Sequence, residues 1–166
     1  MKKILLVILL IFSVSLFAQN IEVGFAQKGK DQTARNLVIK TIESAKKEIR
    51  MARYNFTDIV VIVSLIDASK RGIDVKIVHD SDVVNQKNDG TALIRESKAQ
   101  IKLDSKYAIM HNKFIIVDGV TVETGSYNYS ENANNSNAEN VIVIWNNPDV
   151  AKKYLDIWYK LWNESK

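Results

Sequence analysis

The chain of 166 residues is 46% hydrophobic and 25% charged, with six glycines, one proline and no cysteine. This composition is typical of a folded globular protein, so it excludes the disordered, collagen-like and disulfide-stapled classes. The length suits one domain with a substantial core and leaves little room for two. A net charge of +4 is too small to identify a nucleic-acid-binding protein by itself.

The amino terminus has the three-part pattern of a secretory signal peptide. A basic start leads into an uncharged apolar run from Ile4 to Phe17, and Ala18 then offers a small residue for cleavage. The alternative is a retained membrane anchor, but a spanning helix needs roughly 20 apolar residues and this run is shorter. We therefore expect residues 1–18 to be removed and residues 19–166 to form one exported domain. Its destination is the periplasm, the outer-membrane surface or the medium.

Strand and helix signals alternate through the rest of the chain. Hydrophobic periodicity and capping residues predict strands at 21–26, 48–56, 74–79 and 99–103, with helices at 33–47, 58–71 and 91–98 between them. Two further strands, 113–117 and 120–124, are joined across Asp118-Gly119, a favoured hairpin dipeptide. A strand at 139–145 and a helix beginning at Asn147-Pro148 complete the pattern. The order predicts an α/β domain with a mixed β-sheet covered by helices.

One of the two histidines lies in a motif that carries chemistry. His79 closes an apolar strand, which favours a structural role, whereas His111 begins the pattern H-x-K-x4-D-x6-G-S-x-N. The His-x-Lys triplet is a moderate signal alone, and the Gly-Ser-x-Asn at a fixed distance makes it strong. The polar members of the pattern are His111, Lys113, Asp118, Ser126 and Asn128.

The spacing of these residues predicts a phosphate site. Side chains alternate along a strand, so His111 and Lys113 project to the same side. The hairpin returns the chain, and Ser126 and Asn128 are again two residues apart. An imidazole, an ammonium, a hydroxyl and an amide around one point offer a nucleophile and donors for phosphodiester oxygens. No carboxylate cluster of metal-site type accompanies them, so we expect neither a metal nor another cofactor.

Two carboxylates near the motif have different predicted roles. Glu139 begins the strand after the Ser126 loop, where it can accept a hydrogen bond from the far nitrogen of His111 and fix its tautomer. The alternative for Glu139 is a solvated carboxylate at a strand end. Asp118 falls on the opposite strand face from His111 and lies at the hairpin turn, so we expect it to be structural.

These residues resemble the HKD motif of the phospholipase D superfamily. The pattern is most similar to that of small exported bacterial endonucleases of the Nuc type, which carry a single motif. Similarity is strongest over residues 117–145 and extends more weakly to residues 52–57 and 71–78. The resemblance implies a sheet with helices on both faces and metal-free hydrolysis of phosphodiesters through a phosphohistidine. It implies a site formed by His111, Lys113, Ser126, Asn128 and Glu139.

A single motif predicts a homodimer. In-line displacement at phosphorus needs a nucleophile on one side and an acid for the leaving oxygen on the other. One His111 cannot occupy both sides, and His79 lacks the motif. A two-fold dimer supplies the second His111 by symmetry.

The substrate class is left between alternatives. The leading hypothesis is a nonspecific endonuclease acting on DNA and also RNA. The second is a phospholipid phosphodiesterase, for which Tyr107 and Met110 would offer an apolar surface near the site. The third is an inactive module that binds nucleic acid or the envelope. A nuclease needs a basic groove, and its candidate residues are Lys28, Lys30, Arg35, Arg53, Lys102 and Lys106.

Overall fold

The computed structural model describes residues 20–84 and 88–166, and the predicted signal peptide lies outside these residues. Seven strands form one sheet: β1 (Asn20–Gln27), β2 (Glu48–Arg53), β3 (Asp74–Asp80), β4 (Gln100–Asp104), β5 (Phe114–Val117), β6 (Thr121–Gly125) and β7 (Ala138–Trp145). Their spatial order is β1-β7-β6-β5-β2-β3-β4. Strands β2, β3 and β4 are parallel, and every other pairing is antiparallel.

Helices cover both faces of this mixed sheet, which confirms the predicted fold class. They are α1 (Thr33–Glu43), α2 (Ile59–Lys70), α3 (Thr91–Arg95), α4 (Glu131–Asn135) and α5 (Pro148–Glu164). Helices α1 and α2 pack their apolar stripes on one face together with β-branched residues of β2 and β5. Helix α5 packs on the other face through Ala151, Trp158 and Leu161. Within the described part of the chain, no helix is both long enough and apolar enough to cross a membrane.

Helix α1 ends at Glu43, four residues before the predicted end. The reason is a long-range contact, because the Asp118 carboxylate accepts hydrogen bonds from the amides of Lys46, Lys47 and Glu48 at 2.8–2.9 Å. Asp118 itself has a φ of 52°, a left-handed conformation that aspartate tolerates at a turn. These bonds tie the hairpin turn to the beginning of β2, so Asp118 has a structural task.

Strand pairing brings the motif residues to one edge of the sheet. The end of β2 pairs with the beginning of β5, and the end of β6 pairs with the beginning of β7. The residues just before β5, just after β6 and at the start of β7 therefore meet at the same side of the sheet, where these inner strands begin or end. Gly125 is required in this arrangement, because an added Cβ would collide with the carbonyl oxygen of Asn140.

Candidate active site

His111 is exposed at the sheet edge and is held by its neighbours. The amide of Met110, one residue earlier, donates to the buried carboxylate of Asp80 at 2.7 Å. The imidazole packs edge-on against Tyr54, with ring centroids 4.8 Å apart. The backbone position of His111 thus depends on the end of β3, and the orientation of its ring depends on the residue after β2.

Lys113 lies beside His111 with a largely buried side chain. Its Nζ donates to the carbonyl oxygen of His111 at 2.9 Å. Burial lowers the pKa of Lys113, and the nearby charge of Glu139 opposes that change. The ammonium is therefore fixed next to the imidazole. Because burial removes part of its hydration, an anionic substrate bound there would stabilise its positive charge.

Ser126 and Glu139 form a bonded pair on the neighbouring strands. The Ser126 hydroxyl donates to Oε2 of Glu139 and accepts from the amide of Asn140 at 3.1 Å. The other carboxylate oxygen, Oε1, accepts from Nδ2 of Asn137 at 2.7 Å. Among the described residues no hydrogen bond joins Glu139 to His111, so the bond predicted from sequence is not formed within the chain. Both oxygens of Glu139 are already engaged by Ser126 and Asn137.

Asn128 is half-buried at the same edge. Its Oδ1 is buried and has no hydrogen-bond partner among residues 20–84 and 88–166. Buried polar atoms are usually paired, so an unpaired one two residues after Ser126 is a typical mark of a functional site. The amide of Asn128 is thus available to a bound molecule.

The six residues predicted for a basic groove lie in different surroundings. Arg53 is fully buried: its guanidinium stacks on Phe56 and contacts His79 and Asp89, so it cannot line a groove. Arg35 is used in ion pairs with the buried Asp58 and with Glu131.

The four lysines of that groove also differ in their surroundings. The ammonium of Lys102 donates to the carbonyl of Trp162, and that of Lys106 is paired with Glu164. Lys28 and Lys30 are exposed and line a surface cavity of about 340 Å³ together with Asn137, the residue that bonds Glu139. These two lysines are the basic groups that lie beside the candidate site.

The described residues hold no group of three or more His, Asp or Glu side chains that is arranged to bind a metal ion. His79 instead belongs to the buried cluster with Arg53 and Asp89. Burial lowers the pKa of His79, partly opposed by its hydrogen bond to Asp89. This placement fits the structural role predicted for His79.

Sequence reasoning missed several residues that build the site. Tyr54 contacts His111, Asp80 anchors the residue before it, and two buried tyrosines alternate with Ser126 and Asn128. The alternation itself carried a signal, since residues at every second position of an extended segment share a face. Tyr127 and Tyr129 were therefore identifiable as core residues once Ser126 and Asn128 were assigned to the site.

Comparisons with known proteins agree with this geometry. Residues 38–162 match the family model described as "Cardiolipin synthase, PLD-like domain". The crystal structure of Nuc, a phospholipase D family member from Salmonella typhimurium, is 42% identical with a TM-score of 0.83, covering 89% of this chain and 97% of that one.

Curated relatives carry lipid-related names. A phospholipase D of Rickettsia bellii is 38% identical over 117 residues, 70% of this chain and 58% of that protein. A mitochondrial cardiolipin hydrolase of Danio rerio is 27% identical over 135 residues, 81% of this chain. The chain spans 58–59% of the length of these two relatives. Together, the family match, these identities and the shared fold show that the chain belongs to the phospholipase D superfamily.

Proposed function

We propose that the chain is an exported, metal-independent phosphodiesterase that works as a homodimer. Its preferred substrate is DNA, with RNA as a second substrate, and it cleaves internal bonds without sequence preference. The observation that carries this proposal is the meeting of His111, Lys113 and the Ser126–Glu139 pair at one sheet edge. A nucleophile, a fixed cation and neutral donors are there within one small region, as phosphoryl transfer requires.

In the first proposed step, a neutral His111 nitrogen attacks phosphorus. The P–N bond forms while the P–O bond to the leaving sugar oxygen breaks, and that oxygen takes a proton from His111 of the partner subunit. Lys113 and the side-chain NH2 of Asn128 donate to the non-bridging oxygens, and the Ser126 hydroxyl joins them by turning from Glu139 to the substrate. In the second step, the partner's His111 accepts a proton from water. The hydroxide attacks phosphorus, the P–N bond breaks and neutral His111 is regenerated.

The dimer is supported by an exposed apolar surface next to the site. On the sheet face that carries α5, strand β1 exposes Ile21, Val23 and Phe25 by 44–55%. Helix α5 exposes Ile157 by 50%, and Ile109 in the loop before the motif is 58% exposed. Exposed apolar side chains of this size are candidates for burial in an interface.

Two of these exposed side chains lie near the catalytic histidine. Ile109 and Ile157 line one groove, of about 170 Å³, together with Asn112, the residue next to His111. A second copy seated on this groove would bring its own His111 close to the first, as the two-sided mechanism requires. We therefore place the two-fold axis beside this groove.

The choice of DNA over phospholipid rests on two observations. The first is that Nuc matches this chain over nearly its full length. The second is that the exposed Lys28 and Lys30 lie at the end of β1 beside Asn137, close to the candidate site. Phospholipid remains the alternative, favoured by the names of the Rickettsia and Danio relatives and by the apolar groove at Tyr107 and Ile109. A module without catalysis is the third reading, and the complete motif argues against it.

A parallel assay on two substrates separates these readings. Purified residues 19–166 should nick plasmid DNA in excess chelator, and the rate should fall steeply between about 50 and 200 mM salt because phosphate contacts release counterions. Phosphatidylcholine and cardiolipin vesicles should be hydrolysed far more slowly. Faster vesicle hydrolysis would favour the lipid enzyme. Loss of nicking in chelator that a divalent cation restores would contradict the metal-independent mechanism.

Export is proposed from the amino-terminal pattern. The signal peptide should be cleaved after Ala18, which leaves the mature protein in the periplasm, on the outer-membrane surface or in the medium. N-terminal sequencing of the protein recovered from those fractions should therefore begin at Gln19. An intact amino terminus in a membrane fraction would instead support a retained anchor.

A further inference from the structure

Two buried tyrosines hold the loop that presents Ser126 and Asn128. Tyr127 and Tyr129 are 1% and 0% exposed. The Tyr127 hydroxyl donates to Oδ2 of Asp58 at 2.7 Å, and the Tyr129 hydroxyl donates to Oε2 of Glu123 at 2.6 Å. The loop is therefore bonded on its inner side to two carboxylates of the core.

The two carboxylates have different electrostatic environments. Asp58 also accepts from Nε of Arg35 at 2.9 Å and from the amide of Val60 at 3.1 Å, so its charge is balanced. Glu123 is 1% exposed, and its Oε1 has no hydrogen-bond partner among the described residues. The Tyr129 hydroxyl is thus the one described group that bonds Glu123.

Within residues 20–84 and 88–166, the elements around Glu123 supply no compensating charge. Its register neighbours are Ile115 on β5 and Val143 on β7, and α1 covers this face with apolar side chains such as Val38. Tyr129 is the titratable group that faces it. Burial raises the pKa of Glu123 to about 8, partly opposed by the hydrogen bond from Tyr129. Burial raises the pKa of Tyr129 as well, so both groups are protonated at neutral pH.

The backbone at Tyr129 depends on its surroundings. Tyr129 has a φ of 55°, a left-handed conformation that is unfavourable for an aromatic residue. Its carbonyl accepts from the amides of Thr57 at 3.2 Å and Asp58 at 3.0 Å. A strained conformation persists only where such contacts enforce it, so a change at the Tyr129 side chain is expected to reach Asn128.

We propose that Glu123 is a positioning residue: as a neutral acid it lets the core close around Tyr129 and hold the Ser126–Asn128 loop in its working geometry, whereas an ionised Glu123 is a buried charge with one hydrogen bond to support it, which opens this part of the core, releases the loop and lowers turnover. This inference rests on the proposed phosphodiesterase function for its effect on rate. The loss of kcat at alkaline pH would then be caused by a residue of the core and not by the groups that touch the substrate.

The sign of the pH effect on stability follows from the raised pKa. The folded state holds the Glu123 proton more tightly than the unfolded state, whose pKa is near the ordinary 4.5. The stabilisation is therefore complete below about pH 4.5 and is lost as the pH rises toward about 8. Glutamine cannot ionise, so Glu123→Gln should remove this part of the pH dependence.

The kinetic test compares the wild type with Glu123→Gln in plasmid hydrolysis between pH 6 and 10. Glu123→Gln should keep the neutral-pH kcat and extend it to higher pH with little change in KM, while Tyr129→Phe should lower kcat about tenfold at neutral pH. The groups proposed to touch the substrate are the same in both proteins, so the difference between the two profiles reports Glu123. Glu43→Gln, an exposed acid on α1, is the matched control and should follow the wild type. Identical alkaline limbs in wild type and Glu123→Gln would overturn the proposal.

A second measurement does not depend on activity. In NMR titrations of the wild type, the backbone amides of residues 126–129 should shift with a midpoint near pH 8, and these shifts should vanish in Glu123→Gln. Loop amides that titrate identically in both proteins would contradict the proposal even if the enzyme is active. If the protein hydrolyses no phosphodiester but the loop amides still shift with a midpoint near pH 8, the proposed function is refuted. The coupling of Glu123 to the loop is then supported.

Discussion

Replacing His111 with alanine should abolish phosphodiester hydrolysis, lowering kcat by about four orders of magnitude or more. The imidazole is the proposed nucleophile in one subunit and the proposed acid in the other, so a single substitution removes both groups from the dimer. The fold should be retained, because His111 is exposed and its ring contacts Tyr54 at the surface of the sheet edge.

The effect of His111→Ala is measured on plasmid DNA in chelator, with thermal unfolding as the check on folding. Asn112→Ala removes the adjacent exposed side chain and should remain active, which makes it the matched control. If His111→Ala unfolds at a temperature close to that of the wild type and still hydrolyses DNA, the assignment of the active site is refuted.

Placing a charge at Ile157 should split the dimer and reduce kcat by about two to four orders of magnitude, the usual contribution of a general acid. Ile157 is half-exposed on α5 and lines the groove that reaches Asn112. Ile157→Glu keeps a good helix former at this position, so the monomer should stay folded. Every residue of the motif remains in place in this variant, which isolates the contribution of the second subunit.

The control for Ile157→Glu is Val63→Glu on α2. Val63 is similarly exposed but lies on the opposite face of the sheet. Analytical ultracentrifugation should show a dimer for the wild type and Val63→Glu, and a monomer for Ile157→Glu. A fully active monomer would refute the paired-histidine mechanism, and dissociation by Val63→Glu alone would move the two-fold axis to the other face.

Local patterns in the sequence predicted most of the fold. The β-branched strand at 74–79, the Asp58 cap of α2 and the Asp118-Gly119 hairpin all depend on neighbouring residues, and the structure confirms each. Helix α4 was not predicted, because its five residues contain no apolar periodicity. Its position is set by the Ser130 cap, whose hydroxyl accepts from the amide of Ala133.

The site was predicted as a set of residues and not as a set of contacts. Fixed spacing identified His111, Lys113, Ser126 and Asn128, but the partners of Glu139 depend on a loop conformation that spacing does not determine. Asn137 and Ser126 each donate to one of the Glu139 oxygens, from 2 and 13 positions away in sequence. Contacts of this kind follow from the assembled sheet.

Arg53 was wrongly assigned to the basic groove for a related reason. A positive residue is usually solvated, and sequence gives no sign that Arg53 would be enclosed with His79, Asp89 and Phe56. Burial of Arg53 became possible because parallel pairing places it beside His79, while the chain at Asp89 supplies a negative charge. Pairing between distant segments thus decided which cations remain at the surface.

The covalent intermediate tests the central claim most directly. Wild-type protein is mixed with a short DNA duplex in chelator, quenched in alkali within milliseconds and digested for mass spectrometry. A DNA fragment linked through phosphorus should be found on the peptide that contains His111, with the acid lability of a phosphoramidate, and should be absent from His111→Ala. Hydrolysis that proceeds with no adduct at His111, or with an adduct on another residue, would contradict the proposed mechanism.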